Sequence, residues 1–321
     1  MAMLETPRER PGYRLLSAAT ALPIAYVGTL LLLLCAYMFR PALLSPMLLM
    51  LIIRQAAPLG VAVIGQSLCI RILSIDLSFG GVAMGVSYIL TSGYVPGNQA
   101  VLIGGSLLFG AAVGLANAFF IVRLRASSVI VTLAMGLLLT GIVIAFSQFR
   151  APGDAPALLK YIGQTRIWNV PLAPLVWFAL LIPIGWYLKR SVLGQYIDAI
   201  GANPRAAHAT GIPYASVVVL VHVASSLFAV VSAFLLVGFV GMGSLDIGRD
   251  LALNSLAAVI LGGVTFGSGR GGILGPAVAA FMLTFLFNLL TSFGLGEPSK
   301  LMLQGAIIAM AAIAYSARTR N

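Results

Sequence analysis

Polar and apolar positions in this chain alternate on the scale of whole segments, with apolar runs recurring from one end to the other. Spans are placed near residues 22–39, 58–73, 77–92, 99–122, 129–149, 171–188, 213–241, 251–266, 273–293 and 301–316, most of them long enough to cross roughly 30 Å of hydrocarbon. This predicts an all-α polytopic membrane protein of about ten transmembrane helices, some short or broken, in a single transmembrane domain over 1–321. The spans at 77–92 and 251–266 are short and interrupted by glycine, as broken or tilted helices lining a path would be. One stretch departs from the apolar pattern. Leu193 to Ile212, LGQYIDAIGANPRAAHATGI, is a polar island that must lie in water. Within it Asn203 suits an N-cap, Pro204 fits the first helical position and Gly211 suits the left-handed residue that ends a helix. A short capped helix from Pro204 to Thr210 is therefore predicted, carrying Arg205, Ala206, Ala207 and His208. A rigid polar knob on a membrane domain suits docking to a soluble partner.

Composition agrees with that picture: charged residues make up 8%, against about 25% in soluble globular domains. The formal net charge of +11 does not point to nucleic acid, because the basic residues are scattered between apolar runs instead of gathered on one face with aromatics. They fit orientation in a lipid membrane better. With both termini inside, twelve Lys and Arg fall in cytoplasmic segments and seven in outer ones, a moderate positive-inside bias. The outer loop, 150–170, carries Arg150, Lys160 and Arg166 against the trend. Residues 1–20 read as a cytoplasmic tail with no cleavable signal, and 189–212 as a cytoplasmic loop. Cys35 and Cys69 lie in apolar runs without metal-type spacing and read as packing residues.

Charge at membrane depth is expensive, which makes Arg54, Arg71, Asp76, His222, Arg249 and Asp250 functional candidates. In Ser74-Ile75-Asp76-Leu77-Ser78-Phe79, the Asp76 carboxylate can accept from the amides of Ser78 or Phe79 at the start of the following helix. That structural job competes with direct contact with cargo. Ser74, Asp76, Ser78, Asn254 and Ser255 are the candidates for lining a translocation path. His222, alone on a wholly apolar helix, fits a hydrogen-bonded packing residue better than a proton carrier. Gly81 with Gly85, and Gly110 with Gly114, have the spacing of close helix packing. No enzymatic constellation emerges: there is no metal-spaced histidine pair, no Gly-x-Ser-x-Gly elbow and no acid pair on one face. Gly267-Ser268-Gly269-Arg270-Gly271-Gly272 matches Gly-x-Gly-x-x-Gly, but between two apolar spans instead of a strand and a helix. None of Lys160, Lys189 and Lys300 follows a glycine, as a Walker A lysine would. The expectation is no catalytic, cofactor or metal site in this chain, with any ATP bound by a partner subunit.

Several of these segments together carry a resemblance. Ile75-Asp76-Leu77-Ser78-Phe79-Gly80, Ser128-Val129-Ile130-Val131-Thr132-Leu133, Gly194-Gln195-Tyr196 through Gly201, Asn203, Ala206, Ala207, Gly211 and Ile212, and Ala257-Ala258-Val259-Ile260-Leu261-Gly262-Gly263 with Gly269-Arg270-Gly271 resemble the permease subunits of ribose- and xylose-type ABC importers. The resemblance runs in order over nearly the whole chain. It implies a homodimer of membrane subunits in a bacterial inner membrane, a cytoplasmic ATPase with two fused nucleotide-binding halves, and a periplasmic binding protein that delivers a sugar-like substrate. It also implies that the polar loop between spans six and seven, with Asn203, Pro204, Arg205, Ala206, Ala207, His208 and Gly211, couples to the ATPase. Two departures bear on the cargo. Leu73 and Ser74 stand where the family usually has two glycines, and Ala252 and Asn254 where it often places Glu and Asp. Polyols, deoxy sugars, a signalling furanose and nucleosides all fit, and permeases for branched-chain amino acids share the layout. The rival reading is a self-contained secondary transporter or channel with an ion path through Arg71, Asp76 and His222.

Overall fold

The computed structural model describes residues 23–148, 153–265, 269 and 271–319. The 1–20 tail, Arg150, Arg320 and, from the glycine motif, Gly267, Ser268 and Arg270 lie outside the described residues.

The described residues are mainly helical: α1 (Ile24–Phe39), a 3₁₀ turn (Pro41–Leu44), α2 (Pro46–Arg71), α3 (Phe79–Thr91), α4 (Gln99–Arg123), α5 (Ser128–Ser147) and α6 (Ala157–Gln164) come first. A two-stranded hairpin follows, β1 (Arg166–Ile167) against β2 (Val170–Pro171), antiparallel, before α7 (Leu172–Arg190), α8 (Val192–Ala202), α9 (Pro204–Ala209) and α10 (Tyr214–Val240). The chain then runs through α11 (Leu251–Leu261), α12 (Leu274–Ser292) and α13 (Glu297–Thr319). Among the described residues six helices, α2, α4, α5, α7, α10 and α12, are long and apolar enough to cross a membrane.

Each expected span corresponds to a helix, with three corrections. The second span begins twelve residues earlier than read from the sequence, at Pro46, because α2 continues as a helix through Arg54, Gln55 and Pro58. The loop at 150–170 contains α6 and the hairpin, and the polar loop at 189–212 contains α8 ahead of α9. The short spans are half-helices. At 1.5 Å per residue, the 13 residues of α3 and the 11 of α11 reach about 20 and 16 Å, well short of about 30 Å of hydrocarbon. Residues 72–78 and 241–250, non-helical, complete those two passages.

Two faces of the molecule are fixed by α2. Near its start Arg54 donates from Nε to the Gly163 carbonyl of α6 (2.7 Å) and lies over the Phe239 ring, and at its end Arg71 pairs with Asp198 of α8. α10 runs the other way, from α9 to α6. The same order of elements, a long helix, a returning segment, a half-helix and another long helix, therefore occurs twice in opposite directions: α2 to α4 and α10 to α12. Such inverted halves put broken helices near mid-membrane, where irregular backbone is covered by protein. The core is built where these halves meet, from small and β-branched residues such as Ala62, Val63, Val82, Ala83, Ala229, Val230 and Ala233. Glycines permit the approach: a Cβ on Gly81 would lie 2.5 Å from the Gly136 carbonyl oxygen, and one on Gly114 would lie 2.6 Å from the Val223 Cα. By contrast α5 leaves Ile130, Leu137, Leu138 and Phe146 exposed, a surface suited to lipid.

Candidate functional site

Three features are placed by this fold: a buried polar knot at 72–78, an open polar cavity, and the α8–α9 unit on the opposite face.

The knot forms because residues 72–78 have left the helix and their backbone groups need partners where water is excluded. Thr132 Oγ1 on α5 accepts from the Leu77 amide (2.9 Å), and Ser128 Oγ accepts from the Ile75 amide (3.2 Å). Asp76, fully buried, accepts at Oδ1 from the Ser78 amide (3.0 Å) and Ser78 Oγ (2.6 Å), and at Oδ2 from Ser225 Oγ of α10 (2.8 Å). Asn117 of α4 donates to Ser78 Oγ (3.1 Å), and Ser74 Oγ bonds His222 Nε2 (2.8 Å). The expected bond to the Ser78 amide is present, and it is one of three into that carboxylate. Cys69, Asp76 and His222 bring potential ligand atoms within 4.8 Å of one another. The hydrogen bonds on both Asp76 oxygens and on His222 Nε2 tie this grouping into the knot. Arg71 is not part of it; its guanidinium is turned to Asp198.

Beside the knot, on the face that carries α6, lies a cavity of about 460 Å³ between α2, α10, α11, α12 and α13. Its wall includes Gln55, Pro58, Asn254, Thr284, Asn288 and Thr291, with Asp246, Arg249, Asp250 and Lys300 also lining it. Asn288 Nδ2 donates to Gln55 Oε1 (2.9 Å), while Asn254 Oδ1 has no partner among the described residues. Arg249 and Asp246 form a loose, exposed pair at 3.9 Å. Of the five residues singled out from sequence for a path, Asn254 alone lines this cavity. Ser74, Asp76 and Ser78 are buried in the knot, and Ser255 is buried with its hydroxyl turned back to the Ala252 carbonyl (2.9 Å). Gln55, Thr284 and Asn288 were not singled out; lone amides inside apolar runs were the available signal.

On the opposite face Asn203 Oδ1 accepts from the amides of Arg205 (3.0 Å) and Ala206 (3.1 Å), starting α9 as its residue types predict. α9 ends in a Schellman turn: the Gly211 amide bonds the His208 carbonyl, the Ile212 amide bonds the Ala207 carbonyl, and Gly211 sits at φ +84°. Arg205, Ala206, His208 and Ala209 face outward, whereas Ala207 is buried beneath the helix. α8, absent from the sequence reading, was signalled by Ser191, which accepts from the Gly194 amide (3.1 Å), and by Ile197 and Ile200 on one buried face.

Residues 48–312 match the family described as branched-chain amino acid transport system, permease component. The chain belongs to this family of ABC-importer permeases. The ribose import permease protein RbsC of Escherichia coli K12 is 27% identical over 271 residues, covering 82% of this chain and 83% of that protein. The autoinducer 2 import system permease protein LsrD of the same strain is 26% identical over 269 residues, covering 80% of each. No solved structure matches.

Proposed function

We propose that this chain is the membrane-spanning subunit of an ATP-driven importer for a neutral, sugar-like solute, with α9 docked on a separate cytoplasmic ATPase. The observation that carries the reading is α9 itself: a rigid six-residue helix, capped at both ends, offering Arg205, Ala206 and His208 to solvent on the face opposite the cavity. Small helices of fixed shape suit insertion into a groove of a partner, where added bulk or reversed charge is poorly tolerated. In this reading the α8–α9 face is cytoplasmic and the cavity opens to the periplasm, where a binding protein delivers solute. A second copy of the chain completes the membrane unit, and ATP is bound and hydrolysed on the two nucleotide-binding halves of the ATPase. The excess of Lys and Arg on the α9 side supports this orientation.

The cavity supports the cargo class. Gln55, Asn254 and Asn288 offer donors and acceptors that pair with hydroxyls, while the charged residues on the rim are of both signs, with Arg249 beside Asp246 and Lys300 beside Glu297. The names of the ribose and autoinducer 2 relatives point the same way. A neutral polyhydroxylated solute such as a pentose, hexose or polyol is the class that these amides and the relatives' names support. Here Asn254, not Ser74, Asp76, Ser78 or Ser255, is the path residue, and the knot supports the wall.

The test is Ala206→Trp and Arg205→Glu, made at exposed positions so that the spans still fold. Both variants should reach the membrane normally, lose co-purification with the ATPase, and abolish uptake into vesicles that contain binding protein and ATP. Unchanged association and transport would remove α9 from its proposed role.

A further inference from the structure

α8 does more than separate α7 from α9. Only Asn203 lies between α8 and α9, and it belongs to both, donating its amide to the Ala199 carbonyl while its side chain caps α9. The two short helices therefore move as one body. Ile197 and Ile200 of α8 are fully buried in the cluster that contains Ile64 and Leu68 of α2 and Val217 and Val218 of α10. At Gly201 the contact becomes backbone to backbone: an added Cβ would lie 2.1 Å from the Arg71 carbonyl oxygen and 2.5 Å from the Gly269 Cα. Arg71 is the last residue of α2, so the knot at 72–78 and α3 follow directly, while Gly269 stands in the stretch that follows α11. α3 is thus linked through 72–78 to one point on α8, and Gly269 meets the same point.

A charge pair reinforces the crossing. The Arg71 side chain is 6% exposed and donates to Asp198 Oδ1 at 2.5 Å, whereas Asp198 is 59% exposed. A nearly buried guanidinium that loses its partner is left as an uncompensated charge, so Arg71 follows α8 when α8 shifts. From Arg71 the contacts continue without a gap. Ser74 and Asp76 grip His222 and Ser225 of α10, and Gly80 of α3 abuts the carbonyls of Gly248 and Arg249, which line the cavity.

We propose that the Gly201 crossing and the Asp198–Arg71 pair form the joint through which displacement of α9 reaches α3 and the cavity wall, with Asp198 as a positioning residue for transport. The inference rests on α9 being the ATPase contact. Asp198→Asn keeps size and removes the charge at an exposed position. In vesicles holding the full complex with ATPase, binding protein and ATP, membrane abundance, ATPase association and ATP hydrolysis should stay within about twofold of the parent. Solute moved per ATP should fall about tenfold, a size typical of changes along a coupling network. Asp198→Glu should restore most of it, and the charge exchange Asp198→Arg with Arg71→Asp should transport better than either change alone. Unchanged solute per ATP in Asp198→Asn, or equal losses of abundance and transport in Asp198→Asn and Asp198→Glu, would overturn the joint. If Ala206→Trp loses ATPase association while Asp198→Asn transports normally, the joint alone fails. If Ala206→Trp leaves association intact, the ATPase-contact reading fails first and the joint loses its input.

Discussion

At Asp76 a carboxylate is held in the membrane-embedded part of the protein by donors that are all neutral. Two of its bonds are local, and the one from the Ser78 amide was read from Asp76-Leu77-Ser78; the Ser225 hydroxyl lies 149 positions away, and Asn117, which steadies Ser78, lies 39 positions beyond Ser78. A single sequence reveals neither pairing, since a lone Ser or Asn in an apolar run has no periodicity to mark its partner. The geometry separates two substitutions. Asp76→Asn keeps one oxygen for the Ser78 amide and hydroxyl, and its new NH₂ can donate to Ser225 Oγ. Asp76→Leu strands all three donors at about 1–3 kcal/mol each. Purified Asp76→Asn should remain monodisperse with a modestly lowered Tm, whereas Asp76→Leu should lose abundance in the membrane. Similar behaviour of the two would show that the three bonds do not hold the knot. Thr132→Val should cost about 1–3 kcal/mol by leaving the half-buried Leu77 amide without its side-chain partner, and Thr132→Ser much less; thermal unfolding of the two side by side decides it.

Among the elements, those stopped and started by local chemistry were the legible ones. α9 follows from Asn203, Pro204 and Gly211 because each cap is satisfied within a few residues. α8 was hidden because Leu193, Tyr196, Ile197 and Ile200 sit among polar residues in a segment already read as loop. The first half of α2 was hidden for a different reason: Arg54 and Gln55 interrupt its apolar run, and their use, Arg54 on the last turn of α6 and Gln55 on Asn288, depends on tertiary neighbours. Both ends of α9 can be tested as elements. Asn203→Ala removes the acceptor for two amides and should cost about 1 kcal/mol, read as faster hydrogen exchange at Arg205 and Ala206 with the transmembrane helices unaffected. Gly211→Asn should be tolerated, because Asn visits the left-handed region readily, and Gly211→Val should not, because a β-branched residue is an outlier there. Nothing lies within 4 Å of the position where a Cβ at Gly211 would stand, so any loss in the Val variant reports backbone strain, not a clash. Equal exchange protection of α9 in the Asn and Val variants would remove that conformational role.

For the whole molecule, the two inverted halves, α2 to α4 and α10 to α12, each hold two long apolar helices and, between them, one passage that is part helix and part returning chain. The six long apolar helices were legible because hydropathy alone marks them. The meeting of the half-helices beside a polar cavity was not, because it depends on which helices face one another across the core. This arrangement makes the two faces distinguishable by chemistry. Trp168, at the tip of the hairpin, is 94% exposed on the α6 face, Arg205 is exposed on the α9 face, and Asn254 lines the cavity between them. With Cys35 and Cys69 replaced by alanine, a single cysteine at each site should report its compartment to a membrane-impermeant thiol reagent added to intact cells. The cysteine at residue 168 should label readily, and the one at 254 should label more slowly through the cavity. The one at 205 should label only after the membrane is opened. Labelling at 205 in intact cells would invert the orientation and move the proposed ATPase contact to the wrong side of the membrane. Labelling at 168 without any at 254 would close the cavity to that face, and Asn254 would lose its place on the path.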